Sequence, residues 1–100
     1  MEKKTNRMEK VNSLIKRELS EILKEEYEFG LDNFVSVNIV DTKADLSVAD
    51  IYISSLRDEE AIVENLNRES RHIRYVLSKK IDMKKTPQLR FKVDRFKVSL

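Results

Sequence analysis

Two periodicities alternate along the chain. Over residues 6–28 apolar side chains recur at helical spacing, at Val11, Leu14, Ile15, Leu19, Ile22, Leu23 and Tyr27, which predicts an amphipathic helix. Asn6 followed by Glu9 reads as its N-cap and capping box, and Gly30 as the left-handed residue that ends it. The beat then shortens. In residues 34–41 Val35, Val37 and Ile39 share one face, with Ser36 and Asn38 on the other. In residues 47–56 Ala49, Ile51 and Ile53 oppose Val48, Asp50, Tyr52 and Ser54. The TKADL segment between these strands turns the chain, so the two can pair as a hairpin.

The helical beat returns over residues 58–82, with Ile62, Leu66, Ser70, Ile73, Leu77 and Ile81 in one stripe. Asp58 stands where an N-cap belongs, and Glu59 and Glu60 suit the positive end of the helix that follows. Ser70 is the one polar member of the stripe. It marks either a close approach of a single long helix to the sheet, or a break between two helices with its hydroxyl capping the second; periodicity does not choose. Pro87 ends the helical pattern, and LRFKVD alternates as a third strand with Leu89, Phe91 and Val93 inward and Arg90 and Lys92 outward. The predicted order, α-β-β-α-(α)-β, describes an α+β domain whose helices cover one face of a three-stranded sheet.

Length and composition narrow the class. One hundred residues form a single domain, 1–100, with its core in 6–96, and 40% apolar content fills a core without staples. There is no cysteine, so disulfides and thiolate chemistry are excluded. No apolar run approaches the ~20 residues of a membrane span, and the N-terminus lacks the apolar stretch of a signal peptide, so the expectation is a cytoplasmic protein. Gly30 and Pro87 are the only residues of their kinds, so other side chains must make the turns.

Charge changes the picture more. The net charge of +2 conceals a split: residues 1–17 carry a net +4, residues 18–70 a net −10 and residues 71–100 a net +8. A basic face of this kind points to a polyanionic partner. The candidate contacts cluster on the second helical segment: Arg68, Arg71, His72, Tyr75 and Lys79 lie opposite the core, Arg74 lies at the flank, and Lys80 follows. Arginine forks grip phosphates, and a tyrosine among them can stack on a base. Lys84, Lys85, Arg90, Lys92, Arg95 and Lys97 extend the positive field. The basic residues at the start of the first helix join it if that end lies near. Enzymatic signals are nearly absent: there is no glycine-rich phosphate loop and no nucleophile motif, and His72 is the sole histidine. No catalytic residue, metal or cofactor is expected.

Three stretches carry a family resemblance. RMEKVNSLIKRELSEIL, VSVNIVDTKADLSVADIYISSL and LNRESRHIRYVLSKKIDMKKTPQLRFKVD, in that order and spacing, resemble ribosome-binding factor A from about Arg7 to Asp94. The resemblance implies a KH-like fold of the type II arrangement, α-β-β-α-kink-α-β. It implies binding to the free small (30S) ribosomal subunit and its 16S rRNA, and the chain is expected to be a monomer. It also implies assistance to late assembly and 16S rRNA 5′-end processing, importance for growth in the cold, and an Era-type GTPase as partner. The family kinks its helix at Ala-x-Gly where ordinary KH domains carry a GxxG loop; here Glu69, Ser70 and Arg71 occupy the kink. Arg71 must then act through its side chain and not through a glycine backbone. A second class of function, a protein-interaction module meeting a basic partner through the acidic surface of residues 18–64 without RNA, rests on charge alone.

Overall fold

The computed structural model describes residues 3–96. The predicted order of elements is found: α1 (Lys3–Glu26), β1 (Val35–Thr42), β2 (Val48–Ser55), α2 (Glu59–Arg68), α3 (Ser70–Lys80) and β3 (Gln88–Val93). The strands lie in the order β1-β2-β3, with β1 antiparallel to β2 and β2 parallel to β3. The parallel pairing of β3 requires the chain to cross over the sheet between β2 and β3, and α2 with α3 is that crossover.

One face of the sheet meets all three helices. Ile15, Leu19, Ile22 and Leu23 of α1, Leu66 of α2, and Ile73 and Leu77 of α3 are buried against Val37, Val40, Ala49, Ile51, Ile53, Leu89 and Phe91. The period-two reading of the second and third strands is borne out for these residues. It fails in β1. The pairing with β2 shifts between Val37 and Ile39, so the chain carries a bulge there. One extra residue flips everything beyond it. Val40 and Thr42 therefore point inward, and Ile39, expected in the core, is 41% exposed. The extra residue, Asn38, is held by its side chain. It accepts from the Ser36 hydroxyl and donates to Ser54 Oγ at 3.1 Å and Asp94 Oδ2 at 2.7 Å.

The expected helix ends are also corrected. α1 begins at Lys3, so Asn6 lies within the helix and not before it. It stops at Glu26, four residues short of Gly30. Gly30, at φ 108°, instead opens a turn in which its carbonyl accepts from the Asn33 N–H. Asp58 does stand at the start of α2, but in the left-handed region and without a side-chain cap; Glu59 reaches back to accept from the Ser55 N–H at 3.0 Å.

With one glycine and one proline available, asparagines do much of the joining. Asn33 Oδ1 accepts from the N–H groups of Phe34, Leu56 and Arg57, and its Nδ2 donates to the Arg57 carbonyl, so the start of β1 is tied to the end of β2. Asn12 of α1 accepts from the Thr42 N–H on the outer edge of β1. Asn67, in the last turn of α2, donates to the Phe91 carbonyl at 2.9 Å and accepts from the Phe91 N–H at 2.8 Å. Its amide thus pairs with the free edge of β3 as a neighbouring strand would.

Candidate nucleic-acid interface

The joint between α2 and α3 is a single residue. Glu69 sits at φ −95°, ψ 7°. Its N–H reaches both the Asn65 and Leu66 carbonyls, and its own carbonyl accepts from the Ile73 N–H. The hydrogen-bond ladder therefore runs through the break with only a local change of direction. Ser70 begins α3, and Glu69 holds the N-cap position with no side-chain cap. The hydroxyl-cap reading of Ser70 is thus not realised. No glycine is needed, because no residue at this joint adopts a positive φ.

The candidate residues divide by direction. Arg68 and Arg71 line an open groove with Asn67, Ser70, Arg74, Gln88 and Leu89, between the helix joint and the start of β3. Arg68 makes only a long 4.0 Å contact with Glu64. Arg74 is committed to structure: Nε and Nη2 donate to the Thr86 carbonyl at 3.0 and 2.7 Å, which fixes the α3–β3 connection against the helix. Lys84 and Lys85, exposed, lie just before Thr86 in that connection. Tyr75 is 60% exposed on the outer face of α3, with the Lys79 ammonium 5.1 Å from its ring centre. A ring and cations on one surface are the components of base stacking and phosphate contact.

His72 and Lys80 turn toward α1. His72 Nε2 lies 3.2 Å from Glu26 Oε1, and Lys80 Nζ lies 3.8 Å from Glu25 Oε1. Tyr27 donates its hydroxyl to Glu69 Oε1 at 3.2 Å. These contacts bring the acidic C-terminal end of α1, not its basic start, against α3. The ordinary tyrosine pKa of 10.0 is pushed up to about 12 at Tyr27, chiefly by burial and then by the Glu69 charge.

Arg90 and Lys92 belong to a different surface. They project from the face of the sheet that the helices leave open, and both meet Asp50 of β2, Arg90 Nε at 2.8 Å and Lys92 Nζ at 3.5 Å. The Arg90 hydrogen bond holds the Asp50 carboxyl below its ordinary pKa. Tyr52 lies beside them, 5.8 Å from Lys92 Nζ and edge-on to Phe96. Arg95 pairs with Glu60 at 2.8 Å, and Lys97 lies outside the described residues. The single positive field expected from the sequence is therefore two surfaces, and only one of them includes the helix joint. Sequence reading misses Asn67 and Gln88 as groove residues, since neither carries charge or periodicity. Among the described residues no cluster of His, Asp and Glu is placed to hold a metal.

Comparison with known proteins places this geometry. The model of the family described as "Ribosome-binding factor A" matches residues 7–98. The chain belongs to the ribosome-binding factor A family. A Prochlorococcus marinus (strain AS9601) ribosome-binding factor A is 42% identical over 93 residues, covering 88% of this chain and 72% of that protein. One from Chlorobium phaeobacteroides is 37% identical over 94 residues, covering 89% and 80%. The crystal structure of ribosome-binding factor A from Thermus thermophilus superimposes with a TM-score of 0.81 at 25% identity, over 91% of this chain and 99% of that one. Thermus thermophilus coordinates fitted into a cryo-EM map of a complex of ribosome-binding factor A with the 30S subunit superimpose with a TM-score of 0.75 at 26% identity, over 87% and 94% of the two chains. The KH-like α+β fold expected from the ribosome-binding factor A resemblance is thus found, with the break at Glu69 and with Ser70 and Arg71, expected in the kink, opening α3.

Proposed function

We propose that this chain binds the free small ribosomal subunit and contacts its 16S rRNA through the groove of Arg68 and Arg71, the neighbouring Lys84 and Lys85, and the outer face of α3 with Tyr75 and Lys79. The observation that supports this most is the family match over residues 7–98, together with a Thermus thermophilus member placed in a map of its 30S complex. Among the described residues, the groove arginines Arg68 and Arg71 have no close carboxylate pair; they stand at the edge of a KH-like fold, and KH domains clamp nucleic acid at their helix junction. The role proposed is assistance to late small-subunit assembly and 16S rRNA 5′-end processing, with importance for growth in the cold. It is carried out in the cytoplasm by a monomer that works with an Era-type GTPase.

Co-sedimentation with purified 30S subunits tests the reading. Arg68→Gln with Arg71→Gln should weaken binding about a hundredfold or more, at roughly 1.5–3 kcal/mol for each charged hydrogen bond lost. Arg90→Gln with Lys92→Gln, on the open sheet face, should leave it within about twofold. Binding that is absent in the unaltered protein, or that follows Arg90 and Lys92 instead, sinks the assignment.

A further inference from the structure

Glu69 presents a problem for any phosphate-binding role of this joint. It is flanked in sequence by Arg68 and by Ser70 and Arg71, all of which line the groove, and a carboxylate among them would repel a phosphate or tie up a guanidinium. Yet Glu69 does not line the groove. Its carboxylate is turned to the α1 side, where Tyr27 Oη donates to Oε1 at 3.2 Å. Tyr27 is itself fixed. Its ring stacks on Phe29 at 6.2 Å and 18°, and it packs against the hydrophobic core. A tether from a separate element therefore holds away the one acidic side chain at the joint.

We propose that Tyr27 is a positioning residue for polyanion binding: its hydroxyl latches the Glu69 carboxylate on the α1 side of the joint and so keeps the Arg68–Arg71 groove free for phosphate. This rests on the proposed function of that groove and adds how the chain tolerates glutamate there. The latch adds no contact to the ligand. It removes a competitor. His72, one turn beyond Glu69 on α3, already lies 3.2 Å from Glu26, so it offers a released Glu69 no free partner, and the released charge stands beside the groove, one residue from Arg68 and two from Arg71.

The test is a two-residue cycle on the full chain, with purified 30S subunits as the probe at low salt. Tyr27→Phe keeps the ring and its stacking and removes only the hydroxyl. It should weaken binding roughly three- to tenfold, the effect of bringing one like charge to the rim of a partly exposed site. Glu69→Gln alone should bind within about twofold of the unaltered protein, or more tightly. Tyr27→Phe combined with Glu69→Gln should regain the affinity of Glu69→Gln, because no charge remains to be latched. Tyr27→Phe binding like the unaltered protein overturns the proposal, and so does a double variant as weak as Tyr27→Phe, which would make the loss one of packing. A second readout needs no RNA. In alkaline titration followed by tyrosinate absorbance, Glu69→Gln should lower the raised Tyr27 transition by the part owed to the Glu69 charge and hydrogen bond, with burial and Glu26 keeping it above the ordinary 10.0. An unmoved transition shows there is no latch. Failure of the unaltered protein to bind 30S subunits would instead overturn the functional reading, while the titration would still decide the latch.

Discussion

Asp50 shows how a neighbouring strand redefines a residue. On β2 it occupies a position that alternation assigns to the polar face, and it does face away from the helices. It is nonetheless only 6% exposed, because Arg90 and Lys92 of the adjacent β3 close over it. The Arg90 hydrogen bond holds its pKa below the ordinary value in the folded protein. A depressed folded pKa contributes stability that is present above the unfolded value and lost as pH falls through the folded one. Urea denaturation across the acid range should therefore show the unaltered protein losing stability more steeply below about pH 4 than Asp50→Asn. Parallel profiles would contradict the assignment. The sequence shows Asp50 as polar and Arg90 and Lys92 as outward, but not that they meet. That depends on the parallel register Asp50↔Arg90, which no local pattern encodes. Ile39 illustrates the converse. Its apolar character is plain in the sequence, yet the bulge at Asn38 turns it outward, and Asn38 is held by the distant Ser54 and Asp94.

The elements themselves are more legible than their ends. Five strongly periodic stretches translate into α1, the three strands and the α2–α3 segment, because burial of an apolar face selects the same period that the sequence displays. The ends are less so, since capping depends on one or two side chains with several possible partners. Glu59 reaches Ser55 while Asp58 caps nothing with its side chain. The break in the second helical segment is visible as a polar interruption at Ser70, one residue from the joint at Glu69. The connection between α3 and β3 depends on an element-to-element bond that periodicity does not reveal, the Arg74 fork on the Thr86 carbonyl. A lysine has no fork to reproduce both donors. Arg74→Lys should cost about 1–2 kcal/mol in denaturant unfolding and speed amide exchange at the end of the 82–88 segment, where the Gln88 N–H donates to the Ser47 carbonyl. Its effect on 30S binding should be smaller than that of losing Arg68 and Arg71. Unchanged exchange in that segment would show that the fork does not hold it.

Across the whole molecule, the basic residues are sorted by geometry more than by sequence. The 41 × 33 × 18 Å body carries cations on both faces of its sheet layer, but those of the open face are already engaged with Asp50 and Glu60. His72 and Lys80 are likewise engaged with the acidic end of α1. Under the proposed function, that leaves Arg68, Arg71, Lys84 and Lys85 as the main candidates for phosphate contact, with Lys79 drawn over the Tyr75 ring. Four such contacts give a slope of log affinity against log salt of roughly −2.8 to −3.6. Binding to 30S subunits measured from about 50 to about 200 mM salt should fall in that range. A slope twice as steep would mean that the engaged cations on the other surfaces also reach RNA. The charge totals along the chain announce a basic partner surface, and the fold decides which fraction of that charge is available.

The amide of Asn67 also bears on how the sheet is assembled. Parallel pairing of β2 with β3 closes a long stretch of chain, from Ser55 to Gln88, and an unbridged closure of this kind is slow and entropically costly. By holding Phe91 from a position 24 residues away, Asn67 divides that closure into two shorter ones. Each doubling of a loop costs about 0.6 kcal/mol, so the 24-residue Asn67–Phe91 closure is a few tenths of a kcal/mol easier than closing Ser55 to Gln88 outright. α2 can thus arrive carrying one ready-made rung of the ladder, and the third strand docks onto a helix that already specifies its register.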